Sequence, residues 1–101
     1  MHKSLYIPMN KELKLLEKML SSKTRARILL FFLTKDDANY YQAQVLEFLN
    51  CSLSVLQYEL ENLVKLGLLK KINGRKNTFY RFNKDHIFYH DLKSLVEKCI
   101  T

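Results

Sequence analysis

Apolar residues recur along this chain at helical spacing in five stretches, and the polar breaks between them are short. In "KELKLLEKML" the residues Leu13, Leu16 and Leu20 make one stripe that Leu15 and Met19 widen, which predicts a helix over residues 10–21 with Asn10 as its N-cap. Ser22 caps the next stretch, "KTRARILLFFL", where Ala26, Leu29, Leu30 and Leu33 align and Ile28, Phe31 and Phe32 fill much of the remaining circumference. A helix apolar nearly all round belongs at the centre of a fold. Next comes "TKDDANYY", a polar break ending in a candidate very short strand, and then "QAQVLEFL", a short helix with Val45, Leu46 and Leu49 inward. Asn50 stands where a left-handed residue commonly ends a helix.

The fourth helix is capped by Ser52 and carries Leu56, Leu60, Leu63 and Val64 inward, leaving Ser54, Gln57, Tyr58, Glu61 and Lys65 on its outer face. Only the sharp turn "LNCS" separates it from the helix before, which predicts a helix-turn-helix. Gly67 stops the helix. Two runs of strand character, "LLKKI" and "TFYRF", then flank "NGRKN", whose Asn-Gly pair favours a hairpin turn with a basic tip. A last helix is predicted over residues 85–101, with Leu92, Leu95, Val96 and Cys99 as its stripe.

Composition narrows this picture. With 101 residues, 48% of them apolar, the chain is the size of one compact domain spanning residues 1–101. That apolar content is high for so small a core, which hints that part of it is covered by a partner. No run approaches the roughly 18 apolar residues that a membrane span needs, and no apolar leader with a cleavage site opens the chain. Cys51 and Cys99 lie far apart and fit reduced core thiols, so the expected location is cytoplasmic.

Charge adds a partner. The net charge is +7, and the segment from Lys65 to Lys84 contains Lys65, Lys70, Lys71, Arg75, Lys76, Arg81 and Lys84 without a single acid. Basic character concentrated at one place points to a polyanion. Gln57 can pair with adenine, Ser52 and Ser54 suit a base or a phosphate, and Tyr58 offers a hydroxyl or a ring. Arg75 and Lys76, beside Asn77, can reach phosphates or a minor groove from the hairpin tip. Lys23, Arg25 and Arg27 form a second basic group, at the start of a helix. Cations there cost about 0.3 to 1 kcal/mol unless an anion is close.

The stretches "SKTRARILLFF", "LNCSLSVLQYELENLVKLGLLKK" and "GRKNTFYRFN" together resemble the winged helix-turn-helix regulators, especially the arsenic-repressor-like group, over roughly residues 20 to 84. The resemblance implies a mainly α fold with a small β-hairpin: a winged-helix core over 23–84, plus the additional helices 10–21 and 85–101. It also implies sequence-specific double-stranded DNA binding by a homodimeric repressor, with recognition helix 52–66 in the major groove and wing 73–77 on phosphates or the minor groove. Ser54, Gln57 and Tyr58 then take base-facing positions. Glu61 can accept from cytosine N4, although Glu61 and Glu59 would repel nearby phosphates. Asn50 replaces a residue that is commonly Gly in the group. Terminal helices of such proteins commonly pair two subunits, and Leu13, Leu16, Leu20, Leu92, Leu95, Val96 and Cys99 supply the surplus apolar surface for a two-fold dimer.

No cofactor and no metal is assigned. His86 and His90 are four apart, with Asp85, Asp91 and Glu97 nearby, but metal sensors of the group use a longer His spacing and a Cys near the recognition helix, where Cys51 has no second Cys. A competing function is a protein-interaction module on the same scaffold, suggested by Phe48 and by the acids Glu59 and Glu61. Catalysis is the weakest alternative, because the chain has neither a phosphate-cradling Gly-rich loop nor a nucleophile-base pair.

Overall fold

The computed structural model describes residues 10–100, apart from the side chains of Glu12, Leu13 and Ile100. The lead-in at residues 1–9 and the Leu13 side chain therefore lie outside the described residues. Five helices and one hairpin follow in the order α1 (Lys11–Met19), α2 (Lys23–Thr34), α3 (Gln42–Leu46), α4 (Leu53–Lys65), β1 (Leu69–Asn73), β2 (Thr78–Phe82) and α5 (Tyr89–Ile100).

Helix α2 is the centre. Ile28, Leu29, Phe31, Phe32 and Leu33 are all buried, and the helix packs against α4, α5 and β2. Ala26 and Leu30, expected in the inward stripe, instead lie exposed, because the bulkier Ile28, Phe31 and Phe32 turn the helix onto their own side. Ser22 caps the helix by accepting the Arg25 N–H at 3.2 Å.

Between α2 and α3 the predicted short strand shrinks to one bridge. Tyr40 and Tyr80 exchange backbone hydrogen bonds of 2.9 and 2.8 Å, so β2 is paired on both sides at that residue. Helix α3 then ends without the left-handed residue predicted at Asn50, since no residue other than glycine has a positive φ among those described. Tight i to i−3 bonds do that work: Phe48 N–H to Val45 C=O at 3.0 Å, and Leu49 N–H to Leu46 C=O at 3.1 Å.

Helix α4 begins where the sequence predicts. Ser52 Oγ accepts the Val55 N–H at 3.2 Å, and Leu56, Leu60 and Leu63 are fully buried. At the other end Gly67 takes φ +79°, which lets the Leu68 N–H reach the Leu63 C=O and the Gly67 N–H reach the Val64 C=O, both at 3.0 Å. Those two bonds, with buried Leu68 against buried Leu63, are a Schellman stop, and only glycine adopts its backbone without strain.

The hairpin pairs Leu69 with Phe82, Lys71 with Tyr80 and Asn73 with Thr78. Residues 74–77 form its loop, closed by the Gly74 N–H on the Asn77 C=O at 2.7 Å. Glycine is needed at position 74 for space rather than for positive φ, because a Cβ there would meet Asn77 O at 2.9 Å and the Phe79 ring at 3.3 Å.

Helix α5 starts at Tyr89, later than the predicted 85. Asn83 Oδ1 accepts the Asp85 N–H at 3.1 Å and His86 Nδ1 accepts the Phe88 N–H at 3.0 Å, so local side-chain bonds hold residues 83–88 in turns. His86 and His90 therefore do not share a helix. Of the predicted dimer residues, Val96 is corrected to the chain's own core, where it is only 8% exposed.

Candidate nucleic-acid interface

The periodicity that buries Leu56, Leu60 and Leu63 forces Ser54, Gln57 and Tyr58 outward, and all three are exposed. Ser52 spends its oxygen on the helix cap and lies 3.2 Å from Ser54 Oγ, so the two hydroxyls mark the start of the helix together. The amide of Gln57 donates to Gln42 Oε1 at 3.1 Å, which ties α4 to the first residue of α3.

That bond carries the surface onward to the hairpin. Gln42 lies in a groove of about 600 Å³ together with Tyr41, Ala43, Lys76, Asn77 and Thr78. Tyr41 stacks on Phe79 of β2 with ring centroids 4.5 Å apart. Through Gln42, Gln57 therefore borders the same groove as the hairpin tip. Within the basic segment, Arg75, Lys76 and Arg81 have no ion pair among the described residues, and Arg75, Lys76 and Asn77 are exposed.

The two acids of α4 behave differently from the sequence expectation. Glu59 is only 7% exposed and does not share the outer face. Its Oε1 accepts from Arg25 Nε at 2.7 Å, across 34 residues of sequence. The same guanidinium donates to the Lys18 C=O at 2.8 Å and to Ser21 Oγ at 3.2 Å, so Arg25 fastens the end of α1 and the start of α2 to the middle of α4. The anion that a basic helix start calls for is supplied from within the chain.

Glu61 is half-buried and turned toward the base of the hairpin. Lys71 Nζ donates to its Oε2 at 2.9 Å and the Tyr80 hydroxyl approaches at 3.4 Å. The Lys71 hydrogen bond holds the Glu61 carboxyl below its usual range, and the same bond raises the Lys71 ammonium. Glu61 is therefore an anchored carboxylate, and Lys71, counted from sequence as a free cation, neutralises it. Lys70 meets Asp85 at 3.5 Å, an exposed pair of little energetic weight.

The sequence reading missed Tyr41, Gln42 and the pairing of Arg25 with Glu59. Their partners lie on other elements, and no spacing along the chain signals such pairs.

Away from these residues an apolar groove of about 250 Å³ runs between α2 and α5, lined by Leu20, Leu29, Leu30, Leu92, Leu95 and Cys99 among others. Leu20 is 69% and Leu95 59% exposed, Cys99 is exposed beside them, and Leu16, one turn before Leu20 on α1, is exposed as well. Here α5 is held to the body by polar links. The Tyr89 hydroxyl donates to Asp36, and Lys93 Nζ donates to the Leu33 C=O at 2.9 Å and lies 3.4 Å from Asp36. Burial pushes the Asp36 carboxyl up, but the hydrogen bonds from Tyr89 and Lys93 more than offset it, and it ends below its usual range. The Tyr89 hydroxyl, giving its proton to Asp36, is pushed up to about 12.

Among solved structures, the ArsR-like transcriptional regulator from Rhodococcus sp. RHA1 is similar, with a TM-score of 0.61 over 88% of this chain and 78% of that one, at 20% identity. No family model and no curated protein matches the chain. A likeness at that identity is one of fold, and it agrees with the helices and hairpin described above: the chain has the architecture of a winged helix-turn-helix with additional terminal helices. No helix among the described residues is long and apolar enough to cross a membrane.

Proposed function

We propose that the chain binds double-stranded DNA with sequence specificity as a homodimer and represses transcription. Residues 52–66 enter the major groove and residues 73–77 lie on phosphates or in the minor groove. One observation carries this reading: Gln57 and the basic hairpin tip border one groove through Gln42, while Arg25 takes Glu59 into the interior and Lys71 neutralises Glu61. Ser54, Gln57 and Tyr58 meet base edges, while Arg75, Lys76 and Asn77 set the position along the backbone. Glu61, locked onto Lys71, orients the hairpin against the helix. Ser52 contributes through the cap.

The groove between α2 and α5, with Leu20, Leu95 and Cys99 around it, and the exposed Leu16 on α1 support the dimer. A two-fold pair would set the recognition helices one helical turn apart, about 34 Å, so the preferred site is an inverted repeat. The chain is read as a regulator and no catalytic step is assigned to it.

Selection of bound sequences from a random DNA pool tests specificity and symmetry together. Binding should fall steeply with salt, and Arg75→Ala with Lys76→Ala should reduce the log–log slope by roughly 0.9 for each phosphate that is no longer neutralised. A pool that shows no enrichment, or a slope unchanged in the double variant, counts against the reading. A reporter placed behind the selected site, silenced by the wild type and released by that variant, tests repression. The competing protein-interaction reading rests on Phe48, Glu59 and Glu61. Both acids are taken up in internal pairs, which leaves only Phe48 in its support.

A further inference from the structure

Phe48 is 62% exposed, an unusual setting for a phenylalanine, and it forms one wall of a groove distinct from the α4–hairpin surface. The groove follows the outer side of α2 to the turn between α3 and α4 and holds about 410 Å³. Leu30, Phe31, Phe48 and Leu49 line its middle, with the Phe31 and Phe48 ring centroids 5.1 Å apart. Arg27 stands toward one end and Lys35 toward the other, about 12 Å apart along a helix that rises 1.5 Å per residue. The Lys35 ammonium lies 5.3 Å over the Phe48 ring, on the apolar wall itself. No acid lines the groove, and neither cation has a carboxylate partner among the described residues.

We infer that this groove is a binding site for a small linear apolar acid, with its hydrocarbon chain between Leu30 and Phe48 and its carboxylate on Lys35. The volume lies within the range of small-molecule pockets, and an apolar lining with a few charged groups at the rim is their usual composition. A second copy is disfavoured by charge. Two-fold pairing of this patch sets the cations Arg27 and Lys35 of one copy against those of the other with no acid to compensate. Binding here is independent of any DNA contact, because none of the lining residues lies on α4 or the hairpin.

Calorimetric titration of the full chain with decanoate, decanol and decyltrimethylammonium, each below its micellar concentration, tests the site. One decanoate per chain is the expected result, with the alcohol and the cation at least tenfold weaker. Lys35→Gln and Phe48→Ala should each weaken decanoate at least tenfold. Phe48 is exposed and Lys35 half-buried, and an unchanged melting temperature for Lys35→Gln keeps the test valid if Phe48→Ala loosens the fold. Absence of decanoate binding, or equal binding of the cationic amphiphile, overturns the inference. So does sedimentation in which Phe48→Ala splits a dimer, because a second copy then occupies the groove.

Discussion

The α4–hairpin side and the α1–α2–α5 side of this molecule are built on opposite plans. On the first, polar groups are tied down within the chain: Glu59 to Arg25, Glu61 to Lys71, Gln57 to Gln42, and both ends of α4 by Ser52 and Gly67. On the second, Leu16, Leu20, Leu95 and Cys99 are left in water. The difference separates two ways of preparing a surface. Internal bonds fix side chains in advance, so less ordering is required when a ligand arrives. Exposed apolar groups gain only when something covers them. Arg25 connects the two plans, with Lys18 and Ser21 on one side of its guanidinium and Glu59 on the other.

The largest expected effect breaks the apolar side and reads the result on the polar one. In the proposed dimer, Leu20→Glu with Leu95→Glu should leave a folded monomer by sedimentation, since both side chains are exposed in the single chain. Its affinity for an inverted repeat should drop by about 10² to 10⁴, the usual advantage of two linked sites over one. Its affinity for a single half-site should not change. A variant that stays dimeric would show that the exposed leucines serve some other purpose.

Next in size is the connection itself. Replacing Glu59 by Gln strands a poorly exposed guanidinium and should cost about 3 kcal/mol in a urea titration, the lower end for breaking a buried pair. Arg25→Ala should cost a similar amount because it also frees Lys18 and Ser21. The double variant should lose less than the sum, with a coupling within the roughly 0.5 to 3 kcal/mol typical of neighbouring residues. Additive losses would mean that the pair does not join the two sides.

How far each side is legible from sequence follows the same division. Ser22, Ser52 and Gly67 are readable because capping is local chemistry, and the inward positions of α4 because period 3.6 is a local pattern. Glu59 escapes for the same reason. It sits one residue before Leu60, at the edge of the apolar stripe, and its charge argues for solvent until Arg25, remote in sequence, takes it inward. The start of α5 is predicted too early because Asn83 and His86 satisfy backbone groups with side chains, a contest that hydrophobic spacing does not register. Gln42 and Tyr41 carry no signal at all before α3 is brought against α4 and the hairpin. What covers the apolar side belongs to association, which one chain's pattern only suggests.

A smaller effect comes from acid and falls on His86, beside the Gly67 stop of α4, and on Asp36, which holds α5. Burial pushes the His86 imidazole below its usual value, so the neutral form is favoured on folding, with Nδ1 accepting from Phe88. Its stabilisation is complete above the unfolded value, about 6.5, and is lost as pH falls through the lowered folded value. Asp36, also lowered, keeps its contribution above about 3.9 and loses it at still lower pH. Melting temperature should therefore fall in two steps on acidification, and His86→Gln should remove the first. At the alkaline end the contribution of Tyr89, raised to about 12, is complete below about pH 10 and is lost as pH rises from there through 12.

The smallest change in stability and the most informative change in binding should come from Lys71. Its pair with Glu61 is substantially exposed, with 36% and 46% of the two side chains open to water, so Lys71→Ala should cost no more than about 0.2 to 1 kcal/mol. Binding should respond more strongly, because the variant removes a cation and also releases an unneutralised carboxylate beside the surface proposed to meet phosphates. Glu61→Gln should have the opposite sign, tightening non-specific DNA binding by removing that carboxylate. If Glu61 only orients the hairpin, the double variant will bind like Lys71→Ala. If instead the withdrawn charge is what matters, the double variant will recover most of the missing affinity and keep a shallower salt dependence, since one cation is still absent.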